Sequence, residues 1–171
     1  MSGLFWGFFS TLSAGYHSPV PTGERVYVAL GSNLGDREAH LAHARARLGA
    51  LPRTRLLRVS RVEETAPIGP VPQGAYLNQM ILLETELEPR ELLVRLHAIE
   101  AERGRVRTVR WGPRTLDLDI VRFGDRSVRD PDISIPHPEL PNRDFWLREI
   151  AELDAHAPPP TSHVTRPTSH D

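Results

Sequence analysis

Between residues 25 and 123 the hydrophobic pattern switches repeatedly between two periods, and this switching restricts the chain to few folds. A period of two residues is typical of strands, and a period near 3.6 is typical of helices. We predict strands over 25–33, 56–65, 76–87 and 112–123, and helices over 36–49 and 89–104. Asp36 is the predicted N-cap of the first helix, Pro89 opens the second, and Gly49 and Gly104 end them.

The order strand, helix, strand, strand, helix, strand is typical of the ferredoxin-like βαββαβ fold. This is an α+β architecture in which a four-stranded antiparallel sheet carries its helices on one face. The other face stays free, so we expect a binding site there. We expect residues 25–154 to form this domain and residues 1–24 to be an extension outside it, or the product of a misplaced start codon. A secretory signal is the weaker alternative for that segment, and the Pro-, Ser- and Thr-rich residues 155–171 predict a disordered tail.

Two residue types, cysteine and lysine, are missing from the chain, and their absence excludes several kinds of catalytic and metal site. The chain has no cysteine, which excludes disulfides, thiolate metal sites and cysteine nucleophiles. All 21 basic residues are arginine, so a Schiff-base lysine and the lysine of a Walker A loop are also excluded. The net charge of −1 provides no bulk positive field for nucleic acid or an anionic membrane. We therefore expect neither nucleic acid nor a membrane as a partner. We also expect the protein to be a cytoplasmic monomer.

The last predicted strand, GPRTLDLDIVRF (112–123), carries two carboxylates on one face. Leu118 and Ile120 alternate with Asp117 and Asp119, so the two aspartates point to the same side, roughly 6.5–7 Å apart at Cα. Two like charges at that separation repel each other unless water or a cation lies between them. A solvated sheet face is the ordinary explanation, and a divalent cation site is the alternative.

The loop before that strand concentrates arginine. GRVRTVRWGPR (104–114) contains Arg105, Arg107, Arg110 and Arg114. Such a run is usually a solvated surface loop, but here it leads directly into the aspartate pair. Mg²⁺ binds carboxylate and phosphate oxygens, and the arginine fork matches phosphate with two hydrogen bonds. The adjacency of the two motifs therefore predicts a site for metal and polyphosphate together.

Three further segments carry candidate binding groups, each with an ordinary structural alternative. ALGSNLGD (29–36) could hold an anion at a helix N-terminus, although turn geometry also explains its glycines. His137 lies between two prolines near Arg143, and is either an anion contact or a structural histidine. Tyr76 and Asn78 share one strand face, where the ring could stack on a flat ligand and the amide could read its edge. A buried asparagine with satisfied hydrogen bonds is the alternative for Asn78.

In order and spacing, these segments resemble the 6-hydroxymethyl-7,8-dihydropterin pyrophosphokinase family of folate biosynthesis. The resemblance runs from about residue 26 to residue 153. It rests on the blocks ALGSNLGD, ETAPIGPVPQGAYLNQM, IEAERGRVRTVRWGPRTLDLDI and IPHPELPNRDF. It implies transfer of the β,γ-pyrophosphoryl group of ATP to the hydroxymethyl oxygen of the pterin, with release of AMP. ATP would be the co-substrate, and two Mg²⁺ ions would be the cofactor.

The resemblance also implies a role for each matching residue. Asp117 and Asp119 would hold the two Mg²⁺ ions, and Arg105 and Arg114 would stabilise charge on the transferring group, which makes these four the implied catalytic residues. The implied ATP contacts are His97, Glu100, Arg107, Trp111, Ile120, Ser134, His137 and Arg143. The implied pterin contacts are Thr65, Pro67, Ile68, Tyr76, Asn78 and Phe145. Trp111 would lie on a mobile loop that closes over the substrates, and Asp119 is the best carboxylate candidate for a general base that stays unassigned.

Three positions depart from the family pattern. The loop between Arg107 and Trp111 is one residue shorter than in some members, Pro138 replaces a tyrosine, and Asp132 replaces a nucleotide-contacting arginine. The rival functions are a non-enzymatic binding module, an RNA-binding domain and a kinase that releases ADP. The aspartate pair beside arginines disfavours the first, and the neutral charge and missing stacked-aromatic motif disfavour the second. The family resemblance disfavours the third.

Overall fold

A computed structural model describes residues 23–67, 71–105 and 112–155 of the chain. In chain order the elements are β1 (Glu24–Ser32), α1 (Arg37–Gly49), β2 (Thr54–Val59), β3 (Glu63–Thr65), β4 (Tyr76–Thr85), α2 (Pro89–Glu102), β5 (Asp117–Phe123), β6 (Val128–Asp130), β7 (Ile133–Ile135) and α3 (Asp144–Ala155). A single 3₁₀ turn, Leu140–Asn142, precedes α3. None of the helices in these described ranges has the length and apolarity that crossing a membrane requires.

The main sheet is antiparallel, with the order β2–β4–β1–β5 and β3 paired to β4. The expectation of four strands is wrong, because the described part of this sheet contains five. The predicted strand 56–65 is divided at Ser60, whose hydroxyl accepts the Met80 N–H at 2.9 Å in place of a backbone carbonyl. The mixed class with antiparallel pairing is confirmed, and the exact ferredoxin-like topology stays a prediction.

Helices α1 and α2 cover one face of the main sheet. Asp36 caps α1 as predicted, since its carboxylate accepts the Ala39 N–H at 3.0 Å, and Pro89 lies in the first turn of α2. The apolar stripes of both helices meet alternate residues of the strands. The buried cluster between them includes Val26, Val28, Leu30, Leu41, Leu48, Ile81, Leu83, Leu92, Leu96, Ile99, Leu118 and Ile120.

Helix α3 packs on the opposite face, so the expectation that all helices share one face is wrong. A second buried cluster joins Tyr27, Ala29, Met80, Leu82 and Val121 of the sheet to Trp146, Ile150 and Leu153 of α3. The helix covers only part of this face. Beside Trp146, a small cavity opens over Gly31, Asn78 and Asp117, near the ends of β1, β4 and β5. This uncovered end of the sheet is where the predicted site residues meet.

Candidate active site

The aspartate pair lies on β5 as the sequence predicts, on the face that α3 partly covers. Leu118 and Ile120 point into the core beneath α1 and α2, so Asp117 and Asp119 point away from it. Their partners across the β1–β5 ladder are Gly31 for Asp117 and Ala29 for Asp119. Because these partners are small, the space above the two carboxylates stays open. The alternation of side chains along a strand therefore explains why the two aspartates lie on one side of β5 while Leu118 and Ile120 lie on the other.

Asp117 is held between two arginines. Its Oδ1 lies 2.6 Å from a terminal nitrogen of Arg105, and its Oδ2 pairs with Arg114. Arg105 also pairs with Glu100, whose Oε1 accepts the Leu118 N–H at 2.8 Å. The chain therefore presents a carboxylate and two guanidinium groups at one point, and this arrangement suits a ligand that carries both phosphate and a metal ion.

Asp119 and His137 form a second titratable pair. His137 Nε2 lies 3.9 Å from Asp119 Oδ1, and its Nδ1 accepts the Glu139 N–H at 3.1 Å. Burial, and then the negative charge of Asp117, raise the pKa of Asp119 to about 6. Burial lowers the pKa of His137, and the positive charge of Arg143 lowers it further. At neutral pH the site thus combines an ionised Asp119 with a neutral imidazole that directs its second nitrogen at it.

The backbone of His137 is also fixed to β5. Between Ile120 and Arg122 the β1–β5 pairing skips Val121, which makes a bulge in β5. The freed Val121 carbonyl accepts the His137 N–H at 2.9 Å, and the imidazole packs edge-on against Trp146 with ring centroids 5.1 Å apart. Bulges commonly redirect groups beside active sites, and this one places the histidine over Asp119.

The donor set fits Mg²⁺ in its chemistry. Two carboxylates are the hard oxygen ligands this ion uses in proteins, with the remaining positions filled by water or phosphate oxygens. Within the described ranges, no group of three or more histidine, aspartate and glutamate side chains is arranged to hold a metal. Two carboxylates alone would supply only part of a coordination shell for such an ion, and a substrate would have to supply the rest.

Two cavities meet at this point. The larger, of about 510 Å³, is polar and extends from Asp117 towards the β6–β7 hairpin. The smaller, of about 80 Å³, lies on the other side, beside β3 and β4. Arg114 and Asp117 line both cavities. The arrangement can hold two ligands whose reacting ends face each other at the aspartate pair.

The smaller cavity combines two aromatic rings with several polar side chains. Tyr76 and Phe145 form its ring surfaces, and burial raises the pKa of the Tyr76 hydroxyl. Asn78, 7% exposed, donates from Nδ2 to Thr65 Oγ1 at 2.8 Å. Arg143 stacks over the Trp146 ring at 4.2 Å and lines the same cavity. These groups suit a planar heterocycle with hydrogen-bonding edges.

Most of the predicted site residues gather around these two cavities. The larger is lined by Arg105, Arg114, Asp117, Asp119, His97, Ile120, Ser134 and His137, and the smaller by Thr65, Tyr76, Asn78, Phe145, Arg114 and Asp117. Arg143, predicted as an ATP contact, lines the smaller cavity. Glu100 is 3% exposed beneath Arg105, and Pro67 is absent from the described lining of both cavities. Ile68, Arg107 and Trp111 lie outside the described residues.

Sequence reasoning missed three contributors. Asn33 hydrogen-bonds to Arg114 and to residues 73–74, and Gln73 lines the smaller cavity. Arg90 holds both Asp130 and Asp132 at 2.9 Å, which fixes the hairpin that borders the larger cavity. These pairings join residues 40 or more positions apart, and no periodic or spacing signal in the sequence reports them.

Comparisons with known proteins agree on one family. Residues 27–155 match the family model described as 7,8-dihydro-6-hydroxymethylpterin-pyrophosphokinase. Relatives named 2-amino-4-hydroxy-6-hydroxymethyldihydropteridine pyrophosphokinase occur in Pseudomonas aeruginosa, with 45% identity over 76% of this chain and 80% of the relative, and in Bacillus subtilis, with 43% identity over 74% and 76%. A third, from Haemophilus influenzae, is 39% identical over 81% of this chain and 86% of the relative.

Proposed function

The chain belongs to the 7,8-dihydro-6-hydroxymethylpterin-pyrophosphokinase family, and we propose that its two cavities divide the two substrates of that reaction between them. The reaction is pyrophosphate transfer to hydroxymethyldihydropterin in folate biosynthesis. The observation that carries the division is that Asp117 and Arg114 line both cavities. Two ligands there would meet end to end at these side chains.

The smaller cavity is the pterin site. Its ring surfaces, Tyr76 and Phe145, would sandwich a bicyclic heterocycle, and Asn78 would bind the polar edge of that heterocycle. Asn78 Nδ2 donates to Thr65 Oγ1 at 2.8 Å, so the Asn78 amide is already oriented before the pterin binds. A site with such paired groups rejects analogues that cannot complete its hydrogen bonds. Pro67 and Ile68 would add backbone contacts, as the family resemblance implies.

The larger cavity is the ATP site. Its volume of about 510 Å³ and its polar walls suit a nucleoside triphosphate. The triphosphate would lie towards Arg105 and Arg114, and Ile120 and Ile133 would offer apolar contact to the base. His97, Ser134 and His137 would bind along the nucleotide. Arg107 and Trp111 are proposed as further ATP contacts on the resemblance alone.

Asp117 and Asp119 would hold two Mg²⁺ ions, which, when bound, supply neutralisation of triphosphate charge. Arg105 and Arg114 would stabilise negative charge on the transferring group from either side of Asp117. We propose that Glu100 acts through Arg105 rather than on ATP directly, because its buried carboxylate already binds that arginine and the Leu118 N–H.

The step itself is an in-line displacement. The hydroxymethyl oxygen bonds to the β-phosphorus of ATP, the bond from that phosphorus to the oxygen bridging to the α-phosphate breaks, and AMP leaves. The hydroxyl proton has to depart as the bond forms. Asp119 is the carboxylate candidate to accept it, because Asp117 is already paired with Arg105 and Arg114.

The test is incubation of the purified chain with Mg²⁺, ATP and 6-hydroxymethyl-7,8-dihydropterin, with AMP resolved from ADP. We expect AMP that depends on the pterin. ADP would show transfer of the γ-phosphoryl group alone, which would overturn the proposed point of attack. A folded protein that binds both ligands without turnover would favour the non-enzymatic binding module.

A further inference from the structure

Asn33, the first residue after β1, is bound to the segment that carries Arg114. Its side-chain Oδ1 accepts the Arg114 N–H at 2.7 Å, and its backbone N–H donates to the Arg114 carbonyl at 3.1 Å. The two residues are 81 positions apart in the chain. These two hydrogen bonds fix the backbone of Arg114, which lies three residues before Asp117. They therefore fix the position from which the Arg114 side chain extends to the site.

The other end of the same amide reaches the segment before β4. Asn33 Nδ2 donates to Gln73 Oε1 at 2.9 Å and to the Gly74 carbonyl at 3.2 Å. Gln73 lines the smaller cavity, and Tyr76 begins β4 two residues after Gly74. One asparagine therefore connects the backbone that places the aromatic wall with the backbone that places the arginine shared by both cavities.

We infer that Asn33 is a positioning residue that couples the pterin and nucleotide sites. Its side chain is 8% exposed, and both of its donor hydrogens and its acceptor are used for these contacts. It lines neither of the two cavities. Its effect on the reaction is to hold Arg114 and the 73–76 segment in one register, so that the two substrates meet with the alignment an in-line transfer needs. The inference rests on the proposed function.

Two substitutions distinguish the contact of Asn33 with Arg114 from its contact with residues 73–74. Asn33→Ala removes the side-chain bonds to both segments and leaves only the backbone bond from residue 33 to the Arg114 carbonyl. Asn33→Asp keeps an oxygen for the Arg114 N–H but loses the donor to the Gly74 carbonyl, and it places an oxygen there instead. Asp36→Ala is the matched control, because it removes the α1 cap in the same β1–α1 connection without touching either segment.

Steady-state kinetics on the wild type and these variants test the inference. We expect Asn33→Ala to lower kcat about tenfold or more and to raise the pterin KM, since misplacement by about 1 Å can cost up to about a hundredfold. Asn33→Asp should raise the pterin KM while it keeps more of kcat. Asp36→Ala should leave both constants within about twofold of wild type. Equal kinetics for Asn33→Ala and wild type would overturn the inference.

Hydrogen exchange at the Arg114 amide provides a readout that needs no turnover. In Asn33→Ala this amide should exchange about tenfold faster than in wild type, whereas Asn33→Asp and Asp36→Ala should retain its protection. If the wild type makes no AMP, the proposed function fails, and the exchange data alone decide whether Asn33 positions Arg114. Unchanged exchange in Asn33→Ala would overturn the connection in either case. If Asn33→Ala does not fold, Asn33→Asp still gives the KM test.

Discussion

The two faces of the main sheet are built from the same strands but carry different kinds of side chain. Beneath α1 and α2, strands β1, β4 and β5 contribute a continuous apolar layer that includes Val28, Ile81 and Ile120. Beneath α3 the layer is apolar only where Trp146 and Ile150 reach it. Beyond Trp146 it becomes Gly31, Asn78, Asp117 and Asp119, which line the open cavities.

This difference shows how one sheet can be both a core and a binding surface. Strand alternation sends neighbouring residues to opposite faces, so the core face fixes the backbone that the polar face uses. Leu118 and Ile120 are buried at 3% and 4% exposure, and they anchor the strand that presents Asp117 and Asp119. We therefore expect substitutions on the site face to reduce activity without much loss of stability, and substitutions on the core face to do the reverse.

The largest difference between the effect on activity and the effect on stability is expected for Asp119→Ala. Removal of this carboxylate should lower kcat by about 10³-fold, since a preorganised charge that serves the transition state contributes about that much. The free energy of unfolding should not fall, because the carboxylate is partly buried beside the like charge of Asp117. AMP formation and urea unfolding measure the two effects. Glu102→Ala, a carboxylate at the far end of α2, is the control, and near-normal turnover by Asp119→Ala would contradict the metal assignment.

Leu96→Ala tests the opposite face. Leu96 is fully buried on α2, and such truncations cost about 2–5 kcal/mol of unfolding free energy. Urea unfolding should show this loss, while kcat at low temperature should stay near that of wild type, since the folded fraction keeps its site. Val94→Ala, at 66% exposure on the same helix, should be nearly neutral. A large drop in kcat for Leu96→Ala in folded protein would show that the two faces are not independent.

A smaller effect is expected within the site face itself. Tyr76→Ala should weaken pterin binding by about tenfold or more, because ring stacking on a base contributes about 1–3 kcal/mol. ATP binding should change little, since Tyr76 lines the smaller cavity and not the larger. Tyr76→Phe keeps the ring and should keep most of the affinity. Calorimetry with each ligand separately measures this, and equal losses for both would contradict the division of the cavities.

The sequence predicted those features of the two sheet faces that depend only on residues close together in the chain. The Asp36 cap, the stop at Gly49 and the opening of α2 at Pro89 each arise within one turn of helix, and the structure confirms them. The one-sided placement of Asp117 and Asp119 follows from strand period alone. The predicted elements end at residue 123, although the apolar spacing of Trp146, Ile150 and Leu153 is a usable signal for helix α3.

Other features depended on contacts that no local pattern reports. Asn33 and Arg114 meet across 81 positions of sequence, whereas the glycines around Asn33 indicated either an anion site or a turn. The stacking of Arg143 on Trp146, which places the guanidinium beside the smaller cavity, follows from where α3 packs on the sheet. Sequence therefore predicted which residue types form the site, and the tertiary packing determined which of them face each substrate.

The smallest predicted effect concerns Glu149, a carboxylate buried at 2% exposure on α3. No described group donates a hydrogen bond to either of its oxygens. Burial, and then the negative charges of Glu63 and Glu152, raise its pKa from 4.5 to about 8, against the opposing charge of Arg148. The folded protein thus holds this proton more tightly than the unfolded chain, so the free energy of unfolding should fall as pH rises from 4.5 to about 8.

Glu149→Gln should remove the part of that slope above about pH 6, since the raised pKa of Asp119 adds a fall of the same sign below it. Glu149→Met should also stabilise the protein by about 1 kcal/mol at pH 8, because an apolar side chain replaces an unpaired buried charge. Urea unfolding between pH 5 and about 8.5 measures both effects. Leu96→Ala should unfold more easily at every pH with the wild-type slope, since Leu96 belongs to the opposite core cluster and the substitution leaves Glu149 in place. If Glu149→Gln keeps the wild-type slope, the pH dependence arises elsewhere, and the α3 face is no more sensitive to pH than the core face.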